Sequence, residues 1–464
     1  MADIFEEDTI VAISTPPGEG GVGIVRLSGG RALEIAARMF VSSRERDILK
    51  KTRQRVFHGH VHDDAGNVLD EVLLHVMRGP HSYTAEDVVE INGHGGMAPL
   101  RAILDAALAS GARMAGPGEF TRRAFMNGRI DLSRAEAVID LVHAQTRAAL
   151  TAANTAAAGA LSHALHELRE TLGDALARIE AAVDFPEEDL PELVDAALFD
   201  RLHDAHARMV EFTRTADAGI RYREGAALAI VGKPNVGKSS LFNALLRDAR
   251  AIVSQQPGTT RDRLEETITL DGVPARLIDT AGMRNAKDEV EVIGVQRARD
   301  AARQAGIILF VVDASTSYTR EDADLTEELA GLDIPVVLAR NKSDLVDVNA
   351  PPTNDALPLT CAATCDVSAK TGAGLHELEH RLAALLLGDA APAADTPTLF
   401  RARQKDSMRR AAEALRRLLD AKDASPELLA LDLREALEAI GEITGETTPE
   451  DVLDRIFASF CIGK

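Results

Sequence analysis

The stretch ALAIVGKPNVGKSSLFNALL, residues 227–246, decides the fold of the chain around it. The apolar run ALAIV predicts a buried strand, and the helix-forming run LFNALL follows the loop GKPNVGKS at 232–239. This order of strand, loop and helix is what a phosphate-binding loop of the G-x-x-x-x-G-K-S type requires. Its glycines let backbone N–H groups surround phosphates at the helix N-terminus, while Lys238 reaches the outer phosphates and Ser239 offers a hydroxyl to Mg²⁺.

Two further motifs predict the rest of a phosphate and Mg²⁺ site. PGTTRD at 257–262 contains Thr260, whose hydroxyl can complete Mg²⁺ coordination while the last phosphate is present. DTAG at 279–282 follows an apolar strand, so that Asp279 is expected near Mg²⁺ and the glycine N–H is expected to face the terminal phosphate. We therefore predict Ser239 and Thr260 as Mg²⁺ ligands.

The base is recognised, in this interpretation, by two motifs downstream. NKSD at 341–344 supplies Asp344, whose carboxylate accepts two hydrogen bonds from the guanine edge, where adenine has no matching pair of donors. SAK at 368–370 follows the next strand and brings a backbone N–H to the guanine oxygen. The predicted GTP-binding residues are Gly232, Asn235, Val236, Gly237, Lys238, Ser239, Ser240, Asp279, Thr280, Ala281, Gly282, Asn341, Lys342, Asp344, Ser368, Ala369 and Lys370.

The pattern on either side of these motifs predicts several domains. Short β-rich runs mixed with helices predict an N-terminal α/β or α+β domain over 1–128. Alanine and leucine at helical spacing predict a mostly α-helical domain over 129–223, and helical periodicity returns over 389–464. Alternating strands and helices over 224–388 predict an α/β domain with a mostly parallel sheet. We therefore predict one helical domain, built from two segments and interrupted by an inserted GTPase domain.

Composition limits the class of protein. The 73 acidic and 52 basic residues give a net charge of −21, which argues against binding nucleic acid mainly by general attraction to phosphates. Three cysteines are too few for a disulfide framework, so a cytoplasmic protein is expected. Apolar runs fall far short of the roughly 18 residues of a membrane span, and the sequence MADIFEEDTI does not resemble a signal peptide.

The five nucleotide motifs together resemble the translation-factor-related small GTPases. Met283 stands where the signalling GTPases have a water-orienting glutamine, and an apolar side chain cannot orient water. Carboxylates in the run DEVE at 288–291 could position water instead, although such a run on its own is more often a solvated acidic surface.

A second resemblance covers the whole chain. The sequence ends CIGK at 461–464, and the other matching segments are TIVAISTPPGEGGVGIVRLSG at 9–29, SYTAEDVVEINGHGG at 82–96, PGEFTRRAFMNGRIDLSRAEAVIDLV at 117–142 and AAVDFPEE at 181–188. These motifs and the inserted GTPase resemble the MnmE (TrmE) family of tRNA-modification GTPases.

That resemblance implies a function and its partners. It implies an N-terminal domain that binds folate and forms a homodimer, and a flavin-dependent partner, MnmG, that carries FAD and forms a heterotetramer with the family's proteins. Together they add an aminomethyl or carboxymethylaminomethyl group to carbon 5 of the wobble uridine in certain tRNAs. The one-carbon unit comes from 5,10-methylene- or 5-formyl-tetrahydrofolate, and GTP hydrolysis stimulated by K⁺ drives or gates the chemistry.

The resemblance also implies site residues. It implies a K⁺ ion in place of an arginine finger, held by Asn235, Ser254, Gln256 and Thr259, and Glu291 as the water-orienting residue. The implied catalytic residues are therefore Glu291, Asp279 and Lys238. Folate binding is implied for Arg26, Glu90, Arg129 and Lys464; a carboxylate suits the N–H groups of a pterin and cations suit the glutamate tail. Arg129 replaces a lysine of some relatives and keeps the charge in a planar group.

Cys461 and the overall function leave alternatives open. The thiol of Cys461 either packs beside the folate pocket or takes part in chemistry, which would need a lowered pKa and solvent access. One rival function is a GTPase switch in ribosome assembly, against which the missing basic extension argues. The other is a folate-dependent transferase whose GTPase is only regulatory, and it predicts one-carbon transfer without GTP.

Overall fold

A computed structural model describes residues 8–43, 55–144, 146–184, 195–249, 266–278, 306–346, 359–388, 396–421 and 424–464. Two compact units divide the chain. One contains the described residues of Met1–Ile139 together with Gly441–Lys464, and the other those of Asp140–Ile440.

A seven-stranded sheet runs through the described part of the first unit. Its strands are β1 (Ile10–Ile13), β2 (Gly23–Ser28), β3 (Phe40–Ser42), β4 (Arg55–His62), β5 (Val68–Met77), β6 (Val88–Gly93) and β7 (Arg113–Met114). They lie in the order β3-β4-β5-β6-β2-β1-β7, antiparallel except for β1 with β7. Helices α1 (Ala32–Met39) and α2 (Met97–Ala109) share a buried core with alternate strand residues such as Val25 and Leu27, as expected for a sheet with one covered face.

The last residues of the chain pack into this unit. Helix α13 (Glu450–Ala458) is followed by Phe460, which shares an apolar cluster with Phe457 and with residues of α3 (Glu119–Met126) and α4 (Leu132–His143). Ile462 forms a β-bridge with Pro117. Gly118, with φ +64°, has no room for a side chain, because a Cβ there would lie 2.5 Å from the carbonyl oxygen of Phe457.

A buried cation holds several segments of the first unit together. Arg123 of α3 has a side chain that is 2% exposed, and its guanidinium pairs with Asp8, Glu86 at 3.2 Å and Glu119 at 3.1 Å. Arg113 also pairs with two of these three carboxylates, Asp8 and Glu119. Burial alone would raise the pKa of Asp8 and of Glu119, but hydrogen bonds and charge from the two arginines outweigh it and lower both pKa values.

The second unit contains the phosphate-loop sheet. Its strands are β8 (Ala226–Val231), β9 (Glu266–Leu270), β10 (Val273–Ile278), β11 (Ile307–Asp313), β12 (Val336–Asn341) and β13 (Ala363–Asp366), in the order β13-β12-β11-β8-β10-β9. All neighbours are parallel except β9 and β10, which form a hairpin. Asp271 and Gly272, at φ +47° and +85°, make the two-residue turn that the right-handed twist of such a hairpin favours.

Helices cover both faces of this sheet. Leu228 and Ile230 of β8 face a core shared with α8 (Lys238–Ala249) and α10 (Leu375–Leu387). Ala229 and Val231 face a second core, to which Leu329 of α9 (Arg320–Ala330) belongs. A strand with both faces buried reads as a continuous apolar run, which is why ALAIV could be recognised in the sequence.

Long helices make up the rest of the second unit. They are α5 (Arg147–Ala157), α6 (Ala160–Asp184), α7 (Ala196–Glu224), α11 (Ala402–Asp420) and α12 (Pro426–Thr444), the last of which runs on into the first unit. The α7 and α11 helices pack along one another, although the GTPase sequence separates them. No helix among the described residues is long and apolar enough to cross a membrane.

The predicted fold class is confirmed: an N-terminal α/β (α+β) domain, here with a mostly antiparallel sheet, a helical domain and an inserted α/β domain with a mostly parallel sheet. The domain bounds at 128, 223 and 388 stay a prediction. The two compact units are a coarser division, and they place Gly441–Lys464 with the N-terminal residues because Phe457 and Phe460 pack there.

The arginine network predicts a pH-dependent stability. Arg123→Met removes the buried cation, so that Glu86 loses its arginine while Asp8 and Glu119 keep only Arg113. We therefore expect opening of α3 to become easier by about 3 kcal/mol at pH 7. Because the pKa values of Asp8 and Glu119 are depressed, the stabilisation is complete above their unfolded values and is lost as pH falls through the folded ones. The difference in opening free energy of α3 between variant and parent should therefore shrink below about pH 4. This free energy is measured by hydrogen exchange of peptides covering 119–126.

Arg214→Met is the matched control, since Arg214 lies on the surface of α7 and pairs with exposed Glu211. Arg214→Met should change the free energy of opening of α3 by less than about 1 kcal/mol. An Arg123→Met protein that exchanges like its parent at pH 7 would show that the buried network does not hold α3 in place.

Candidate functional site

Backbone geometry of the loop 232–237 suits phosphate binding. The loop joins β8 to α8 and has positive φ at Gly232 (+156°), Asn235 (+63°) and Gly237 (+96°). A Cβ on Gly232 would lie 2.3 Å from the Val311 carbonyl oxygen, and one on Gly237 would lie 2.3 Å from Nδ2 of Asn341. Only glycine fits at either position, and the loop thereby delivers its N–H groups to the start of α8.

The side chain of Lys238 folds back onto the phosphate loop. Its Nζ donates hydrogen bonds of 2.8 Å to the carbonyl oxygens of Gly232 and Lys233. Burial lowers the pKa of this ammonium from its ordinary value. Ser239, half-buried, and Ser240, exposed, follow it in the first turn of α8.

Asn341 joins the phosphate loop to the loop after β13. Its Nδ2 donates to the carbonyl oxygen of Val236 at 2.9 Å, and its Oδ1 accepts from the backbone N–H of Ala369 at 3.0 Å. The residue is 2% exposed, and Val236 is 1% exposed. One buried amide therefore fixes the distance between the predicted phosphate-binding and base-binding segments.

Lys342 makes a second connection between the same regions. With φ +64°, it sends Nζ to the Asn235 carbonyl oxygen at 2.9 Å and to Oδ2 of Asp313 at 2.6 Å. Although burial raises the pKa of Asp313, hydrogen bonds from Lys342 and Ser315 lower it overall. Asp313 is not among the residues predicted from the sequence, although its position at the carboxyl end of the apolar strand IILFVVD could have indicated it.

Asp344 and Ser368 are held together at the predicted base site. Ser368 donates from Oγ to Oδ1 of Asp344 at 2.6 Å, and the Ser343 N–H donates to the Val367 carbonyl oxygen at 3.1 Å. Asp344 is exposed, and so is Lys370. The predicted base-binding carboxylate is thus oriented by the serine and remains accessible to a ligand.

A buried ion pair missed by the sequence analysis anchors the phosphate loop to α9. Lys233 reaches Oδ2 of Asp322 at 2.7 Å, and Asp322 is 1% exposed. The same carboxylate oxygen accepts from the backbone N–H of Thr319, which caps α9. No local pattern in the sequence connects positions 233 and 322.

Several predicted site residues lie outside the described residues. They are Ser254, Gln256, Thr259, Thr260, Asp279, Thr280, Ala281, Gly282 and Glu291.

The residues predicted for folate meet in the first unit. Arg26 of β2 and Glu90 of β6 are directly opposite in the sheet register, and Nε of Arg26 donates to Oε1 of Glu90 at 2.8 Å. Nη1 of Arg26 also donates to the Gly463 carbonyl oxygen at 3.2 Å. Burial lowers the pKa of Lys464, and the neighbouring Arg26 charge lowers it further. The structure therefore gathers two strands and the C-terminal residues at one place.

Aromatic rings complete this place. The Arg26 guanidinium lies 5.8 Å from the ring centroid of Tyr83 and 5.6 Å from that of Phe120. Arg129 lies 5.2 Å from the Tyr83 ring and donates to the Tyr83 carbonyl oxygen at 3.0 Å. Burial raises the pKa of Tyr83, whose hydroxyl bonds Thr121. Tyr83 belongs to the segment SYTAEDVVEINGHGG that carries the family resemblance, but no role was predicted for its ring.

Cys461 is exposed beside this cluster. Its carbonyl oxygen accepts from the N–H of Lys464 at 3.3 Å and from that of Gly118 at 3.4 Å. The backbone of Cys461 thus stabilises the C-terminal turn. Its thiol is exposed, and a role of this thiol in chemistry stays a prediction.

Comparisons with known proteins cover both units. The MnmE helical domain model matches residues 132–461, and the model of the GTP-binding protein TrmE N-terminus matches residues 9–129. The tRNA modification GTPases MnmE of Chloroflexus aurantiacus and Roseiflexus castenholzii are both 48% identical to this chain; 98% and 99% of this chain, and 100% and 99% of theirs, are covered. That of Alkaliphilus oremlandii is 42% identical, covering 99% of this chain and 100% of its own.

Because the side-chain amide of Asn341 connects the two loops, we expect its removal to lower the affinity for the nucleotide. Asn341→Ala leaves the Val236 carbonyl and the Ala369 N–H without their partner, at about 1–3 kcal/mol for each buried group. We expect the Kd for GTP to rise by about 30-fold or more, measured by titration with a fluorescent GTP analogue.

Asn154→Ala, at an exposed position on α5, is the matched control and should bind GTP like the parent chain. A Kd for Asn341→Ala within about twofold of the parent value would mean that the two loops keep their distance without this amide.

Proposed function

The chain belongs to the MnmE (TrmE) family of tRNA modification GTPases, and from that premise we propose how its residues divide the work of tRNA modification. One unit of the chain hydrolyses GTP. The other binds a tetrahydrofolate derivative that supplies the one-carbon unit for carbon 5 of the wobble uridine. The reaction takes place in the cytoplasm, on tRNA, in a homodimer joined by an MnmG-like flavoprotein that carries FAD.

GTP recognition is supported chiefly by the pair of loops that Asn341 and Lys342 hold together. The phosphate loop presents Lys238 and the N-terminus of α8, and the second loop presents Asp344 and the Ser368-Ala369-Lys370 backbone. In this proposal Lys238 contacts the outer phosphates, Ser239 and Thr260 hold Mg²⁺, and Asp344 selects guanine. Bound Mg²⁺ neutralises charge that develops on the phosphates.

Hydrolysis requires a group other than a glutamine, because Met283 is apolar. We assign Glu291 to orient the attacking water and Asp279 to the Mg²⁺ side of the site. Asn235 lies exposed on the phosphate loop at φ +63°, and Lys342 holds its carbonyl oxygen. That placement leaves its side chain accessible to a cation shared with Ser254, Gln256 and Thr259. A bound K⁺ would add positive charge where an arginine finger acts in other GTPases.

Folate binding is supported by the Arg26 cluster of the first unit. Glu90 supplies the carboxylate that a pterin's N–H groups need, and the half-buried ring of Tyr83 supplies flat apolar surface beside it. Arg26, which pairs with Glu90, lies with Arg129 beside the same Tyr83 ring, and Lys464 adds a third positive charge near Arg26. These groups fit a flat polar ring together with an anionic substituent of the ligand.

Potassium dependence tests the GTPase half of the proposal. We expect GTP hydrolysis to be at least about tenfold faster in K⁺ than in Na⁺ at equal ionic strength. Asn235→Ala should abolish that difference while leaving the rate in Na⁺ close to that of the parent. Equal rates of the parent protein in the two salts would exclude the cation mechanism. Modification of tRNA without GTP would instead favour the regulatory-GTPase alternative.

Folate affinity tests the other half. Glu90→Gln removes a charged hydrogen-bond acceptor, at about 2 kcal/mol, so the Kd for 5-formyl-tetrahydrofolate should rise by about 30-fold. The Kd for GTP should not change. Calorimetric titration measures both.

Asp87→Asn is the matched control, because Asp87 also pairs with an arginine, Arg78, beside the same sheet at 2.7 Å. It should bind folate like the parent chain. Equal folate affinity in Glu90→Gln and Asp87→Asn would remove Glu90 from the pocket.

A further inference from the structure

The inserted GTPase segment connects to the helices of its own unit at two points. The chain leaves α7 after Glu224 and enters β8 through Gly225. It returns along 396–401 and begins α11 at Ala402. An arginine stands at each of these points: Arg223 is the residue before the last of α7, and Arg401 is the N-cap residue of α11.

A single carboxylate oxygen joins the two points. Oδ1 of Asp140, on α4, accepts from Nε of Arg223 at 2.8 Å and from Nη2 of Arg401 at 2.9 Å. The side chains of Asp140 and Arg401 are 14% and 16% exposed, so water screens the contact little. Positions 140, 223 and 401 are distant in sequence, and no assigned role of the family's motifs covers them.

Close packing around this contact leaves the two connections little independent freedom. A Cβ on Gly219 of α7 would lie 2.3 Å from the Leu399 carbonyl oxygen, so the returning segment lies directly on α7. Nη1 of Arg221 donates to the Leu386 carbonyl oxygen at 2.8 Å, which attaches α7 to the last helix of the GTPase segment. A displacement of that segment therefore reaches Arg223 and Arg401 together.

A cleft of about 420 Å³ lies beside the contact and extends to the sheet. Asp140, Arg223, Phe400 and Pro274 are among the residues that line it. Pro274 belongs to β10, which leads at its other end toward Asp279. The cleft gives Arg223 room to change position, and the sequence that follows β10 continues to the predicted Mg²⁺ side of the nucleotide site.

We propose that Asp140 is a positioning residue that couples the nucleotide state of the GTPase segment to the helices. Because one oxygen serves two guanidinium groups, either arginine can leave while the carboxylate stays paired with the other. When one arginine leaves, the carboxylate of Asp140 therefore does not become an unpaired buried charge, which is what makes breaking an isolated pair costly. Release of one arginine or of the other would give two discrete arrangements, which is what a coupling element needs. The inference rests on the proposed function, in which GTP hydrolysis gates modification.

Asp140→Asn tests the proposal, since the amide keeps the shape and removes the charge. In the full chain with its flavoprotein partner and tRNA, we expect kcat and KM for GTP within about twofold of the parent values. The modified tRNA formed per GTP hydrolysed should fall about tenfold. Hydrogen exchange of peptides 219–226 and 396–404 should differ between the GDP and GTP-analogue states of the parent, and this difference should vanish in the variant.

Two further variants separate coupling from simple stability. Asp217→Asn removes a pair between α7 and Lys405 of α11, 2.7 Å long, in the same helix packing, and should behave like the parent. Asp140→Glu keeps the charge and should restore most of the coupling.

Three results would overturn the proposal. The first is a nucleotide-dependent exchange difference in Asp140→Asn equal to that of the parent. The second is a parallel loss of hydrolysis and modification, which would make Asp140 only a support of the GTPase fold. The third is a parent chain whose two peptides exchange alike in both nucleotide states. A parent chain that modifies no tRNA would count against the proposed function, while the exchange comparison would still decide the role of Asp140.

Discussion

The GTPase half of the molecule depends on the burial of strand β8 on both faces. Alternate residues of this strand belong to two different apolar cores, and parallel strands flank it on both sides. A strand enclosed in this way has a fixed register, since a slip of one residue would exchange the side chains of the two cores. The phosphate loop begins at Gly232, directly after the strand, so the fixed register of β8 also fixes the position at which the loop starts. Asn341 and Lys342 at the end of β12, and Asp322 of α9 through Lys233, then hold the loop from two sides.

The two ligand regions use different means to assemble a site. The nucleotide loops follow the carboxyl ends of neighbouring parallel strands, so that the sheet itself brings them together. The region predicted to bind folate instead joins two antiparallel strands to residues from the end of the chain, and Phe457 and Phe460 hold that end in an apolar cluster. Apolar packing of Phe457 and Phe460 thus helps to bring Lys464 near Arg26.

Sequence motifs could predict those parts of the sites whose chemistry lies within a short segment. The strand, loop and helix around Lys238 and the order of the guanine motifs led to the correct fold class, and the folate residues implied by family resemblance do meet in the structure. Contacts between distant segments could not be predicted, because no periodicity links Lys233 to Asp322 or Asp140 to Arg401. Asn341 illustrates the difference. Its motif predicted a place in the GTP site, whereas only the fold shows that its amide is occupied by Val236 and Ala369.

The pairing of α7 with α11 has a consequence for how the chain folds during synthesis. About 180 residues separate the two helices, and at roughly 5–20 residues per second the ribosome needs about 10–40 s to make them. During that time the apolar side of α7, with Leu202, Met209 and Phe212, has been made but its partner helix has not. Early completion of the GTPase domain would bring the two ends of the insertion together and shorten the later search of α11 for α7. A nascent chain that stalls within the insertion would present this unpaired helix to chaperones.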